Sequence, residues 1–283
     1  MSGKTHRLGA HAMATEFQIF ITGTSETKAH LCAAEALRDL ENLEAELSRF
    51  RNGSDISRLN HLTPGENTPI GEAAFDCLTL AKEIHSATHG AFDITIGPLL
   101  AVWTNPDHSP RQPSKSELAR AQAAVGIDKI LLYPECREAT VTCGDMWLDL
   151  GGLGKGYALD QMAAILKKSG IKNALLDAGG SSLLAFGGGP SGDGWPVGTG
   201  EPGIAGINLK DRSLSGSAFT ERGEHIIDPR NGCRVSADRQ NAWALAPFAA
   251  LTDALSTAFL VMTAEEIIAF CEQHTGVEAI LPA

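Results

Sequence analysis

The segment from Leu148 to Gly170, LDLGGLGKGYALDQMAAILKKSG, constrains this chain more than any other. Four glycines and one lysine stand within its first nine residues, and a helical apolar rhythm follows over Gly156 to Ser169. Glycine lets backbone N–H groups approach an anion, a lysine adds a point charge, and a helix N-terminus adds its dipole. The loop GGLGKG, Gly151 to Gly156, is not a Walker A sequence, because Gly156 rather than Ser or Thr follows Lys155, and it does not fit G-x-G-x-x-G. Two readings stand side by side: an anion-holding loop, and a tight strand-to-helix turn with a solvated lysine.

Around this segment, helices and strands are mixed. Glu16 to Thr22 alternates as a strand does. Ser25 to Leu47 predicts a capped amphipathic helix with Leu31, Ala34, Leu37, Leu40, Leu43 and Leu47 inward. Gly71 to His89 predicts a second helix, with Phe75, Leu78, Leu80 and Ile84 on its buried side. GAFDITIGPLLAVW reads as irregular, Ser116 to Val125 as a short helix, and Ile130–Tyr133 and Ala139–Cys143 as strands. NALLDAGGSSLLAFG predicts strand, turn and strand; the glycine-rich run Gly187 to Gly194 predicts a hairpin tip. WPVGTGEP, GINLKD and RSLSGSAF read as consecutive strands of a meander, and NAWALAP as a further strand. Leu251 to Met262 and AEEIIAFCEQHTG close the chain as helices. Without strict βαβ alternation the class is α+β, mixed or antiparallel sheets packed with helices, in a single domain over residues 1–283.

The net charge of -11 argues against a nucleic-acid or anionic-membrane binder, which needs a basic face. No run of apolar residues approaches a membrane span, and no apolar leader is visible. The expectation is a cytoplasmic protein, or the trimmed form of a periplasmic or membrane-associated one. Cys32, Cys77, Cys136, Cys143, Cys233 and Cys271 form no CxxC pair, so reduced, mostly buried thiols are expected.

Three further stretches could carry chemistry. HIIDPRNG places His225 three residues before Asp228, ahead of a turn fixed by Pro229 and Gly232. Such a histidine can act as a general base, or simply satisfy a strand end. TDALSTA sets Asp253 and Thr257 at i and i+4 on an apolar helix, where both oxygens share a face. That pair suits a hard cation such as Mg²⁺; the alternative is that Thr252 and Asp253 cap the helix start. Asp93 stands alone in an apolar run and needs donors or a ligand.

Taken in order, MATEF from Met13, LSRFRNGSDISRLN, GAFDITIGPLLAVW, LDLGGLGKGYALD, LLDAGG, HIIDPRNG and TDALSTA resemble the FAD:protein FMN transferases, the ApbE type. The resemblance covers about residues 13 to 262. It implies a single α+β unit related to the tunnelling fold. It also implies an enzyme that binds FAD, cleaves its pyrophosphate with Mg²⁺, and attaches FMN by a phosphoester to a Thr or Ser of an acceptor flavoprotein, releasing AMP; the alternatives are an FAD pyrophosphatase giving FMN and AMP, as in some members, and a non-catalytic FAD-binding protein. Carried over residue by residue, it implies that Met13 lines the flavin site and that Ala91, Phe92 and Asp93 contact FAD. Asp149 and Lys155 would bind FAD around the glycine turn, with Ile227 and Asp228 beside the adenine and diphosphate. The Gly152 carbonyl, Asp253, Ser256 and Thr257 would hold the metal, and His225 would activate the accepting hydroxyl. Three departures stand out: Phe50 where Tyr or Trp is common, Ser181 at an acidic position, and no tyrosine in SLSGSAFTERGEH.

Overall fold

The computed structural model describes residues 4–105, 107, 109–200, 204–218, 226–235 and 241–282. Their elements, in chain order, begin with β1 (His6–Ala12), β2 (Thr15–Ile21), α1 (Glu26–Leu47), α2 (Asp55–Asn60), β3 (Asn67–Pro69) and α3 (Glu72–Ala87). Next come α4 (Gly97–Trp103), α5 (Lys115–Ala124), β4 (Ile130–Tyr133), β5 (Glu138–Val141), α6 (Gly154–Lys168), β6 (Ala174–Ala178) and β7 (Ser182–Phe186). The last are β8 (Trp195–Val197), β9 (Ile207–Leu209), β10 (Arg212–Ala218), β11 (Asn241–Ala246), α7 (Ala249–Val261), α8 (Ala264–Gln273) and β12 (Glu278–Ile280).

A seven-stranded antiparallel sheet in the order β1-β2-β6-β7-β10-β11-β12 forms the centre. Its register follows from strand alternation: Phe17, Ile19 and Ile21 of β2 are fully buried on one face while the residues between them turn outward. Tight turns join the hairpins. Met13 and Ala14 adopt φ of 50° and 59° between β1 and β2, and Gly179 and Gly180 adopt 68° and 71° between β6 and β7. Helices α1, α6 and α7 cover the inner face. On the outer face the β8–β9 ribbon lays Trp195 and Leu209 over Leu183, Leu214, Trp243 and Leu245. A small sheet, β3-β5-β4, lies apart.

Helices α6 and α7 cross in close contact. A β-carbon at Gly156 would overlap the Ala249 carbonyl and come within 2.7 Å of Ala250 Cα, so only glycine lets the two backbones meet there. Each helix then caps the other. Asp253 of α7 accepts from the Gly156 N–H in the first turn of α6 (3.1 Å). Asp160 of α6 accepts from the Ala249 and Ala250 N–H groups that start α7 (2.9 and 2.8 Å). Phe248 at the α7 N-cap supplies no side-chain bond, so Asp160 takes that duty from across the crossing.

The α+β class is borne out, and most of the long elements lie where the pattern places them. Several details differ. The buried stripe of α1 is Ala29, Cys32, Ala33, Ala36, Leu40, Leu43 and Leu47, whereas Leu31 is 68% exposed. On α3, Phe75 and Leu80 are only partly buried, and small residues (Ala73, Ala74, Cys77, Ala81) fill the contact. WPV and INL pair with each other outside the main sheet, so the meander is broken: β10 lies between β7 and β11. Gly187 to Gly194 is therefore a link from sheet to ribbon, not a hairpin tip. GPLLAVW is helical. All six thiols are free, but only Cys32 and Cys77 are buried; Cys136 and Cys233 are exposed. No helix among the described residues is long and apolar enough to cross a membrane.

Gly156→Ala should lower folding stability by about 3 kcal/mol, because the overlap is with backbone and cannot be relieved by a rotamer. Urea unfolding checks this; a loss below about 1 kcal/mol would show that the helices do not meet at Gly156.

Candidate active site

Residues 148–156 bring the β-bridged strand end at Trp147 into the first turn of α6. Asp149 pins the entry: its N–H donates to the Ile94 carbonyl (2.7 Å) and its Oδ1 accepts from the Gly151 N–H (2.8 Å). The chain then runs beneath α7. A β-carbon on Gly152 would stand 3.2 Å from Thr257 Oγ1 and 3.3 Å from the Phe92 ring, so the glycine keeps backbone, hydroxyl and ring together.

Asp253 is 4% exposed and its carboxylate collects three donors. Lys155 Nζ (3.2 Å) and Ser182 Oγ (3.0 Å) reach Oδ1, and the Gly156 N–H reaches Oδ2. Lys155 also donates to the Gly151 carbonyl (3.3 Å). The Ser256 hydroxyl, fully buried, donates to the Asp253 carbonyl at 2.9 Å. Ser217 Oγ stands 2.9 Å from Ser256 Oγ and 3.2 Å from Thr257 Oγ1. Further along the seam, Ser213 and Ser215 meet Thr252 Oγ1 at 2.7 and 2.8 Å. Thr252 thus belongs to the β10–α7 contact, and Asp253 caps α6 rather than its own helix.

Asp253, Ser256 and Thr257 follow one another along α7, and Gly152 packs against Thr257, so hard oxygen donors of the kind that fit Mg²⁺ lie along one seam. Among the described residues no group of three or more His, Cys, Asp or Glu side chains is positioned to hold a metal. One carboxylate with neutral oxygens leaves coordination positions for water and phosphate oxygens, the usual arrangement for Mg²⁺ at a phosphate-ester site.

The other expected residues lie in three neighbouring groups. Ala91, Phe92 and Asp93 are buried, and the donors Asp93 needs come from the protein itself. Its Oδ1 accepts from the Thr95 N–H and hydroxyl (2.8 and 2.7 Å); its Oδ2 accepts from the Ile127 N–H and faces His85 Nδ1, both at 3.3 Å. The bond to Asp93 is the main cause that raises the His85 pKa, with burial opposing it and the Phe92 carbonyl assisting. Asp149 Oδ2 lies 3.5 Å from Arg49, whose guanidinium stacks between Phe50 (4.3 Å) and Trp147 (4.7 Å). Phe50 is 78% exposed, so its outer face is open for stacking. Met13 donates its N–H to Glu44 (2.7 Å), which also binds Arg51.

Ile227 is buried against Leu99 and Trp103 of α4. Asp228 is gripped by Arg230: Oδ1 accepts from Nε and Oδ2 from Nη2, at 2.9 and 3.0 Å, while Asn231 adds a donor. Arg230 continues to Glu266 and flanks Gly90, which ties this turn to the Ala91–Asp93 segment. His225 lies outside the described residues.

Sequence reasoning missed Ser182, Ser217, Arg49, Trp147 and Arg230. Ser217 had a legible signal, because RSLSGSA puts a hydroxyl at every second position and so on one strand face. The cationic partners had none, since an arginine's target depends on tertiary contacts.

Residues 13–281 match the ApbE family. Two relatives are each named FAD:protein FMN transferase. One, from Klebsiella pneumoniae (strain 342), is 30% identical over 92% of this chain and 79% of its own length. The other, from Haemophilus influenzae, is 32% identical over 90% of this chain and 78% of its own length. Among solved structures, the ApbE protein of Thermotoga maritima superposes with a TM-score of 0.86 at 25% identity, covering 98% of this chain and 94% of that one. The apo form of the flavinyl transferase ApbE of Pseudomonas stutzeri superposes with a TM-score of 0.87 at 24% identity, covering 99% of this chain and 92% of that one, which supports the fold.

The raised His85 pKa sets a pH dependence. The bond to Asp93 contributes fully below the free histidine value of about 6.5 and is lost as pH rises through the higher folded value. His85→Gln should therefore destabilise the protein most at pH 5.5 and progressively less towards pH 8.5, as read by denaturant midpoints of both proteins. A difference that stays constant or grows with pH would rule this pairing out.

Proposed function

This chain belongs to the ApbE family and is a transferase, and from that premise we propose that it moves FMN from FAD to a Thr or Ser hydroxyl of an acceptor flavoprotein, releasing AMP. The observation that carries the reading is the assembly of Asp253, Thr257, Gly152 and Lys155 at the N-terminus of α6. An anion at this helix end meets an N-terminal dipole, a lysine, and oxygens suited to a divalent ion.

Each group has a task in that reading. The pyrophosphate of FAD lies along the Gly151–Gly156 loop, where the small residues let it approach the backbone. Phe92 and the exposed ring of Phe50 offer apolar surface to the flavin and adenine. Asp253, Ser256 and Thr257, with the Gly152 carbonyl, would hold Mg²⁺, which would neutralise charge developing on the pyrophosphate oxygens. Lys155 adds to that field. His225 takes the proton from the acceptor hydroxyl as its oxygen bonds to the phosphorus of the FMN half. The bond from that phosphorus to the bridging oxygen breaks, and AMP leaves with the electron pair. Water in place of the hydroxyl would give free FMN by the same route.

AMP release from FAD should require Mg²⁺ and cease with EDTA. Asp253→Ala should lower it at least about 100-fold while FAD still binds. Undiminished release by that variant would remove Asp253 from the metal site. Incubation with an acceptor protein, followed by intact-mass analysis, separates transfer from hydrolysis: covalent FMN is expected, and free FMN alone would make the enzyme a pyrophosphatase.

A further inference from the structure

The candidate metal carboxylate already holds a cation. Asp253 has a side chain only 6% exposed, and its Oδ1 carries the Lys155 ammonium at 3.2 Å. A carboxylate this deep needs a partner, because burying it uncompensated is costly. The three donors differ in kind. Gly156 N–H belongs to the α6 backbone and Ser182 Oγ to the buried face of β7; both are neutral and fixed. Lys155 is charged, stands on a flexible stem, keeps 23% of its side chain exposed, and has a second acceptor in the Gly151 carbonyl. An ammonium and a divalent ion cannot share one carboxylate oxygen without strong like-charge repulsion.

We propose that Lys155 is the resident counter-ion of Asp253 in the metal-free enzyme and that a divalent ion displaces it. Gly156 and Ser182 keep the carboxylate aimed while the ammonium swings off Oδ1. The released charge turns to the nearest anion, which is the pyrophosphate when FAD is bound. Metal alone must therefore separate an ion pair to bind, whereas metal with FAD gives Lys155 a new partner. The two ligands bind with positive coupling, and the coupling resides in Lys155. Metal entry without nucleotide is disfavoured, which keeps the site from filling before the substrate arrives. This inference rests on the metal site of the proposed function.

The test uses Mn²⁺ as the probe, followed by electron paramagnetic resonance titration of free ion, with and without FAD. Without FAD, Lys155→Met should bind Mn²⁺ about 10-fold or more tightly than the parent chain, because the competing charge is gone. Lys155→Arg, which keeps the charge, should stay near the parent value. The parent chain should bind Mn²⁺ more tightly with FAD, and Lys155→Met should lose most of that gain. Lys155→Met binding no tighter than the parent overturns the exchange. Asp253→Asn binding Mn²⁺ as well as the parent instead overturns the metal site itself, so the two failures are distinct. Should Lys155→Met not fold, acylation footprinting of the parent chain decides: Mn²⁺ without FAD should speed labelling of Lys155, and unchanged or slower labelling overturns the proposal.

Discussion

The close approach of α6 to α7 at Gly156 is the constraint on which the site depends. It brings two helix N-termini into overlap, and each would leave unsatisfied N–H groups in a buried place. Asp253 and Asp160 resolve this by capping each other's helices. The same geometry fixes the carboxylate of Asp253 beside Lys155 and turns the Thr257 hydroxyl toward Gly152. Asp253 closes the helix crossing with Oδ2 and holds the Lys155 ammonium with Oδ1. The antiparallel sheet beneath adds a layer of hydroxyls, so the polar face of α7 is satisfied without introducing charge.

A chain of net charge -11 keeps the surroundings of the α6 loop from being strongly negative. It does so by neutralising each nearby carboxylate internally. Asp93 is met by Thr95, Ile127 and His85, Asp149 by Arg49 and the Gly151 N–H, and Asp228 by Arg230 and Asn231. Lys155 and the Gly156 N–H in the first turn of α6 do the same for Asp253. Overall charge governs long-range encounter, whereas local donors decide what binds. These internal bonds also hold the Ala91–Phe92 and Ile227 segments in shape.

Much of this was legible in the sequence, for physical reasons. The α6 loop declared itself through its glycines and lysine, and the i, i+4 spacing of Asp253 and Thr257 put both on one helix face. Long periodic elements such as α1 and α7 were readable because burial imposes a repeat. The β8–β9 ribbon was not, since three-residue strands carry no periodicity to say which sheet they join. The burial of Leu31 was misjudged because a stripe of alanines and Cys32, rather than the larger side chains, seats α1 where it packs closely. Asp160 gave no signal at all: its duty is to a helix 89 residues away along the chain.

On the proposed reading, the α6–α7 crossing creates one divalent-cation site beside a loop that receives the pyrophosphate. Anomalous diffraction from crystals soaked in Mn²⁺ and FAD would locate that ion. A single strong peak is expected within coordination distance of Asp253 and Thr257, with pyrophosphate oxygens on the same ion. A peak elsewhere, or FAD bound with Lys155 still on Asp253 and no ion between them, would contradict it.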